Sequence, residues 1–215
     1  MSSIVISADQ IIDRYKQAKD EKPMARTKDI AETIGISEGE LVAARVGKDI
    51  VRLTDKPKDI LKSIEKFGDV MALTRNEYCV HERHGIYSNS SFTIHGAMKI
   101  GMFLNPDIDL RLFMNHWKYC FSLVEEGANR TLRSIQFFDK SGIAIHKIYA
   151  LKDDQKKVFE EITETFKHTE QSNQISVEAY AEEPPFAKDD EVDWKDFRTS
   201  WENMQDTHEF FPLLK

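Results

Sequence analysis

The chain has 215 residues, 40% hydrophobic and 31% charged, with a net charge of -7. That is enough for one globular domain with a real core plus an appendage, and the acidic balance argues against non-specific nucleic-acid binding. Apolar stretches such as "HGAMKIGMFL" are too short to span a bilayer, and the N-terminus lacks the basic start and long apolar centre of a signal peptide.

The first seventy residues read as helices. "SADQIIDRYKQAKDEKP" opens with Ser7 and carries Gln10 three positions later, a capping-box pattern that stops before Pro23. "TKDIAETIGISEGELVAARV" reads as two short helices broken at Gly35, with Ser37 and Glu40 as a second capping box. "DKPKDILKSIEKFG" has Pro57 near its start, Ile60, Leu61 and Ile64 on one face, and Gly68 as a stop.

From about Val70 the period changes. "VMALTRNEYCVHERHGIYSN", "FTIHGAMKIGMFL", "IDLRLFM", "HWKYCFSLVEE", "TLRSIQFFD" and "GIAIHKIYAL" read as strands separated by short polar turns. Such short connections predict an antiparallel meander, with Trp117, Tyr119, Phe121 and Leu123 on one strand face. An amphipathic helix, "DDQKKVFEEITETFKH", follows, and the class is therefore α+β: N-terminal helices, a large antiparallel β-meander sheet, then packing helices. Residues 178–196 hold eight acids, two lysines and a Pro-Pro pair, so they read as an exposed linker. The predicted organisation is an α+β body over 1–170, an acidic Pro-containing linker over 171–193, and a C-terminal helix over 194–215. In that helix Trp194, Phe197, Trp201, Met204, His208 and Phe211 recur at steps of 3 and 4, one continuous stripe.

Candidate sites are few. Cys79 and Cys120 lack a CxxC pattern and read as two buried free thiols, which favours the cytoplasm. The "TKDIAETIGIS" region has a helix-turn-helix flavour, but residues 26–58 hold seven basic and six acidic side chains, so no basic footprint accompanies it. His81 and His84 sit three apart on a strand and point to opposite faces, against a shared metal. His95, His116, His146 and His168 stand alone. No phosphate loop, nucleophile elbow or dinucleotide fingerprint is present. His208 differs, because an imidazole on an aromatic helical stripe suits an iron porphyrin as well as it suits plain core packing. In "DLRLFMNHW", Arg111 and Phe113 share a strand face. Arg111 could face a bound oxyanion or metal-bound water, or simply pair with a neighbouring Asp.

At these places the sequence resembles the cytoplasmic haemin-degrading factor family (HemS/HmuS/ChuS type) of Gram-negative haem-uptake systems. The matching stretches are "TKDIAETIGISEGELVAARV", "TRNEYCVHERHGIY", "DLRLFMNHWKYCFSL", "RSIQFFDKSGIAIHKIYA" and "WENMQDTHEFFPLL", in order across nearly the whole chain. The resemblance implies two similar halves, each a large antiparallel sheet with helices, and haem (iron protoporphyrin IX) held in a cleft. It places the axial, metal-ligating histidine at His208 in "DTHEFF", and a distal arginine with its accompanying phenylalanine at Arg111 and Phe113 in "DLRLF". It further implies a cytoplasmic protein of haem uptake and iron acquisition, neither membrane-embedded nor binding nucleic acid. A haem oxygenase or an inner-membrane haem importer would be its donor or acceptor. Haem-degrading, haem oxygenase-like activity is implied for full-length members. This chain stops just after the axial motif, so a truncated or half-length member with a less enclosed haem is expected. The alternative is an interaction module that needs a second repeat or partner to bind haem.

Overall fold

The computed structural model describes residues 6–127, 130–180, 188–206 and 209–213. The chain forms two compact units, Met1–Ala179 and Tyr180–Lys215.

The first unit begins with three helices, α1 (Ala8–Glu21), α2 (Thr27–Ile34) and α3 (Glu38–Ala44). Both expected capping boxes form: Gln10 N donates to Ser7 Oγ (3.3 Å) and Glu40 N to Ser37 Oγ (3.2 Å), while Gln10 and Glu40 accept in return from the cap amides. Each satisfies two helix-end N–H groups that would otherwise lack partners. Gly35 ends α2 in the left-handed region (φ 84°), where a side chain would be strained. Ile11, Ile12, Ile30, Ala31 and Leu41 close these helices into a small core of their own.

Strand β1 (Ile50–Leu53) and helix α4 (Pro57–Ser63) follow, the latter opened by Pro57 at its first turn. Eight more strands come next: β2 (Asp69–Arg75), β3 (Val80–Ile86), β4 (Ser90–His95), β5 (Met98–Leu104), β6 (Asp109–Phe113), β7 (Trp117–Glu126), β8 (Thr131–Asp139) and β9 (Ala144–Ala150). Helix α5 (Lys156–Phe166) closes the unit, burying Phe159 and Ile162. The α+β layout with a large antiparallel sheet is as the sequence implies.

The strands divide between two sheets. One has six strands in the order β1-β7-β8-β9-β2-β3, and the other is β4-β5-β6. The separation falls after β3, where Tyr87 turns into the core and Asn89 adopts positive φ (55°), a conformation short amide side chains tolerate. The main core lies between the six-stranded sheet, α4, α5 and the small sheet. Tyr87, Phe103 and Phe137 are fully buried there, each contributing about 1.5–3 kcal/mol of apolar burial. A second cluster, with Tyr119, Phe121, Leu123 and Phe138, packs α3 and β1 on the opposite face.

Two expectations are corrected in this unit. Trp117 does not share a face with Tyr119, Phe121 and Leu123: it packs into the main core beside Phe137, because a bulge between Trp117 and Tyr119 inserts a residue and reverses strand parity. Cys79 is exposed rather than buried, since it lies in the turn joining β2 to β3, where Asn76 Oδ1 accepts from the amides of Tyr78 and Cys79. Cys120 is buried and free. Residues beyond α5 stay on this unit: Gln171 exchanges hydrogen bonds with Arg52, and Glu178 N donates to Lys140 O (2.8 Å).

The second unit contains α6 (Trp194–Asn203), capped by Asp193, and a short helix α7 (Phe210–Leu213). The single helix expected through Phe211 is therefore interrupted. Met204 leaves the helix with ψ 123°. Asn203 spends its side-chain amide on Thr199 O, and Gln205 caps the Asn203 carbonyl (3.1 Å). Short polar residues that satisfy nearby backbone groups compete with helix continuation in this way.

Candidate functional site

The three-stranded sheet positions Arg111 and Phe113. Along β6 exposure alternates, with Leu112 buried and Asp109, Arg111 and Phe113 facing out. In the register Arg111 lies opposite Met102 and Phe113 opposite Ile100, while β5 continues outward through Leu104 and Met98. The outer face thus carries an apolar strip of Met98, Ile100, Met102, Leu104 and Phe113, with Asp109 and Arg111 beside it on β6 and Ser91, Thr93 and His95 bordering it on β4. Phe113 is 62% exposed, far from the usual fate of a phenylalanine. The inner face holds Phe103 and Leu112 in the core, so the outer residues stand on a rigid platform.

Arg111 Nη1 donates to Asp109 Oδ1 at 2.7 Å, two residues away on the same face. Both side chains are more than half exposed, so the pair adds little stability but restrains the guanidinium above the strand. The ordinary reading of Arg111, an edge-strand arginine paired with an aspartate, is what the free chain displays. That reading leaves the apolar strip around it without a purpose.

His208 lies outside the described residues. On its N-terminal side an aromatic ladder runs along α6, with Trp194–Phe197 at 5.9 Å and Phe197–Trp201 at 6.0 Å, and it extends to Phe210 at 6.0 Å from Trp201. Trp194 and Trp201 remain about half exposed. His81 and His84 are exposed and paired with Thr74 and Met71 on opposite faces of β3, as parity requires. Among the described residues no group of three or more His, Cys, Asp or Glu could hold a metal ion.

The histidine that parity did not single out is His146. Fully buried, it has its ring nitrogens 2.6 Å from Tyr87 Oη and 2.9 Å from Thr74 Oγ1, and it packs against Trp117 and Phe137. Burial pushes its pKa down to about 4, and the same cause pushes the Tyr87 hydroxyl up. The cluster ties β9 to the residue that leads into the small sheet, so its role is structural. A polar residue alternating with Ile and Ala in "AIHKIYA" was the available signal.

The small sheet of this α+β unit therefore presents an exposed apolar strip with one guanidinium held above it. Residues 35–166 match the haemin-degrading HemS/ChuX domain. Over 210 residues the chain is 39% identical to the hemin transport protein HemS of Yersinia enterocolitica, covering 95% of this chain and 58% of that protein. Among solved structures it resembles holo-PhuS, a heme-binding protein from Pseudomonas aeruginosa, with TM-score 0.88 and 37% identity over 97% of this chain and 60% of that one. The heme-degrading enzyme ChuS of Escherichia coli O157:H7 superposes with TM-score 0.81 at 32% identity, over 97% of this chain and 59% of that one. This chain belongs to the haemin-degrading HemS/ChuX family and spans a little under three-fifths of the length of the curated relatives it matches.

Proposed function

We propose that this chain binds haem in a haem-uptake and iron-acquisition pathway of the cytoplasm, holding it for transfer or degradation. The observation that carries the reading is the outward strip of the small sheet, where Arg111 and Phe113 stand opposite Met102 and Ile100. These residues fit a porphyrin. An apolar bed accepts a macrocycle face, and a permanently charged fork offers donors beside it. When bound, haem would supply the iron chemistry. His208 would hold the iron through an imidazole nitrogen, Phe113 would pack on the ring, and Arg111 would donate hydrogen bonds to the bound group. A haem oxygenase or an inner-membrane importer would be the exchanging partner.

Haemin titration by Soret absorbance tests this reading on the chain, Arg111→Ala and Phe113→Ala. Saturable one-equivalent binding is expected, weakened about tenfold by Phe113→Ala, the scale of losing one aromatic contact. Equal affinity in all three proteins would remove the small sheet from the site.

A second reading is an interaction module that completes a haem site with another repeat or partner. The matched relatives are longer than this chain, and β3, the sheet's outer strand, exposes Val80 and Ile86. Haem binding absent from this chain but restored by adding the remaining sequence of a full-length relative would favour that reading.

A further inference from the structure

On the opposite face of the six-stranded sheet from the small sheet lies a cleft of about 780 Å³, walled by α1 and the start of α3. Its floor follows from register. Gln136 pairs with Lys147, and Lys147 with Leu73, so these three share one face, while Ile135, Phe137 and Ile148 fill the core on the other. Buried sheet faces are normally apolar, because a polar group taken from water must find its partners again. This floor is polar instead.

The partners are incomplete. Gln136 is 3% exposed; its Nε2 donates to Ser134 Oγ at 3.0 Å, and its Oε1 meets nothing. Turning the amide over lets the Ser134 hydroxyl donate to Oε1 but leaves Nε2 without an acceptor, so one polar atom is stranded either way. Arg45, also buried in the cleft wall, is paired with Asp49 through Nε and Nη2, while its Nη1 makes no hydrogen bond and lies 3.5 Å from the nearest Glu125 oxygen. Lys147 Nζ and Arg75 Nη2 share one carboxylate, Glu38, at 2.5 and 2.8 Å, which leaves the pair a net positive charge. Around the whole cleft seven Lys and Arg side chains face four carboxylates, although the chain as a whole is acidic. With the Gln136 amide turned so that Ser134 donates to Oε1, Gln136 Nε2 and Arg45 Nη1 are donors without acceptors. Together with the seven-to-four balance of basic over acidic side chains, they call for a ligand that brings acceptors and negative charge.

We propose that this cleft is a binding site for a small organic oxyanion, a carboxylate or phosphate, received by Gln136, Lys147 and Arg75, with Arg45 on the facing wall. Glu38 holds the two cations in place, and Tyr15 and Tyr149 also line the cleft. The site does not depend on haem binding, because it lies on the face of the six-stranded sheet turned away from the small sheet that carries Arg111.

The test is calorimetric titration of the chain with citrate and with inorganic phosphate at constant ionic strength, repeated on Gln136→Leu. Amide chemical shifts on the unsubstituted chain then locate the site whether or not the variant folds. Saturable binding of at least one anion is expected, with shifts centred on the Gln136 side chain, Lys147 and Tyr149. Which anion binds more tightly assigns the carboxylate or the phosphate source. Gln136→Leu should leave the melting temperature of the free chain within a few degrees, because it removes one stranded polar atom but takes the partner of the buried Ser134 Oγ, and yet weaken anion binding about tenfold. No saturable binding of either anion overturns the proposal. So do shifts scattered over surface lysines, or binding unchanged in Gln136→Leu.

Discussion

His146 is neutral because no charged partner compensates for its burial. Its pKa falls from the ordinary 6.5 to about 4 in the folded chain. The folded-state value lies below the unfolded one, so this stabilisation is complete above about pH 6.5, declines as the pH falls, and is gone below about pH 4. The loss amounts to about 3 kcal/mol. Denaturant melts at pH 7 and pH 4.5 should show it, and the difference should shrink in His146→Gln. Tyr87→Phe should cost about 1–3 kcal/mol at pH 7, since it strands the buried Nε2 that now meets the hydroxyl. Arg111→Ala, by contrast, should leave stability within about 0.5 kcal/mol, because the Asp109 pair is exposed. Parity along "DLRLF" correctly placed Arg111 and Phe113 outward on one face. It could not foresee Trp117, because a bulge leaves no mark in the local pattern.

At the scale of elements, the join between α3 and the sheet rests on Glu38, Arg75 and Lys147. The Lys147 ammonium is pulled down by burial and held up by the Glu38 carboxylate. Glu38→Gln should therefore destabilise by about 3–5 kcal/mol, leaving two buried cations without their shared carboxylate. Adding Lys147→Met should recover part of that loss, because one cation then remains where there were two, as chemical denaturation of the single and double variants will show. The capping boxes at Ser7 and Ser37 and the stops at Gly35 and Gly68 were legible because they are local, written within four residues of one another. Glu38 and Lys147 are 109 residues apart, and no local pattern joins them. The division into two sheets was hidden for the same reason: it depends on Tyr87 reaching His146 across 59 residues. The α6 stripe was read through Met204 because periodicity counts apolar positions, whereas Asn203 and Gln205 end the helix through hydrogen bonds.

At the scale of the molecule, residues 6–179 carry three core clusters of their own, and no helix among the described residues is long and apolar enough to cross a membrane. A chain ending at Ala179 should therefore unfold cooperatively with a melting temperature within a few degrees of the longer chain. If His208 is the iron ligand, the same chain should lose histidine-ligated haem binding. The α+β class and the family were readable from sequence, since long motifs recur in order. The candidate site was readable only as separate pieces, a strand pair at Arg111 and Phe113 and, outside the described residues, an imidazole at His208. The most direct measurement is a haemin titration followed by Soret absorbance on the chain and on His208→Ala in parallel. Saturable, one-equivalent binding whose histidine-ligated spectrum disappears in His208→Ala is the expected result. Equal, weak and non-saturating binding by both proteins would contradict His208 as the haem ligand of this chain.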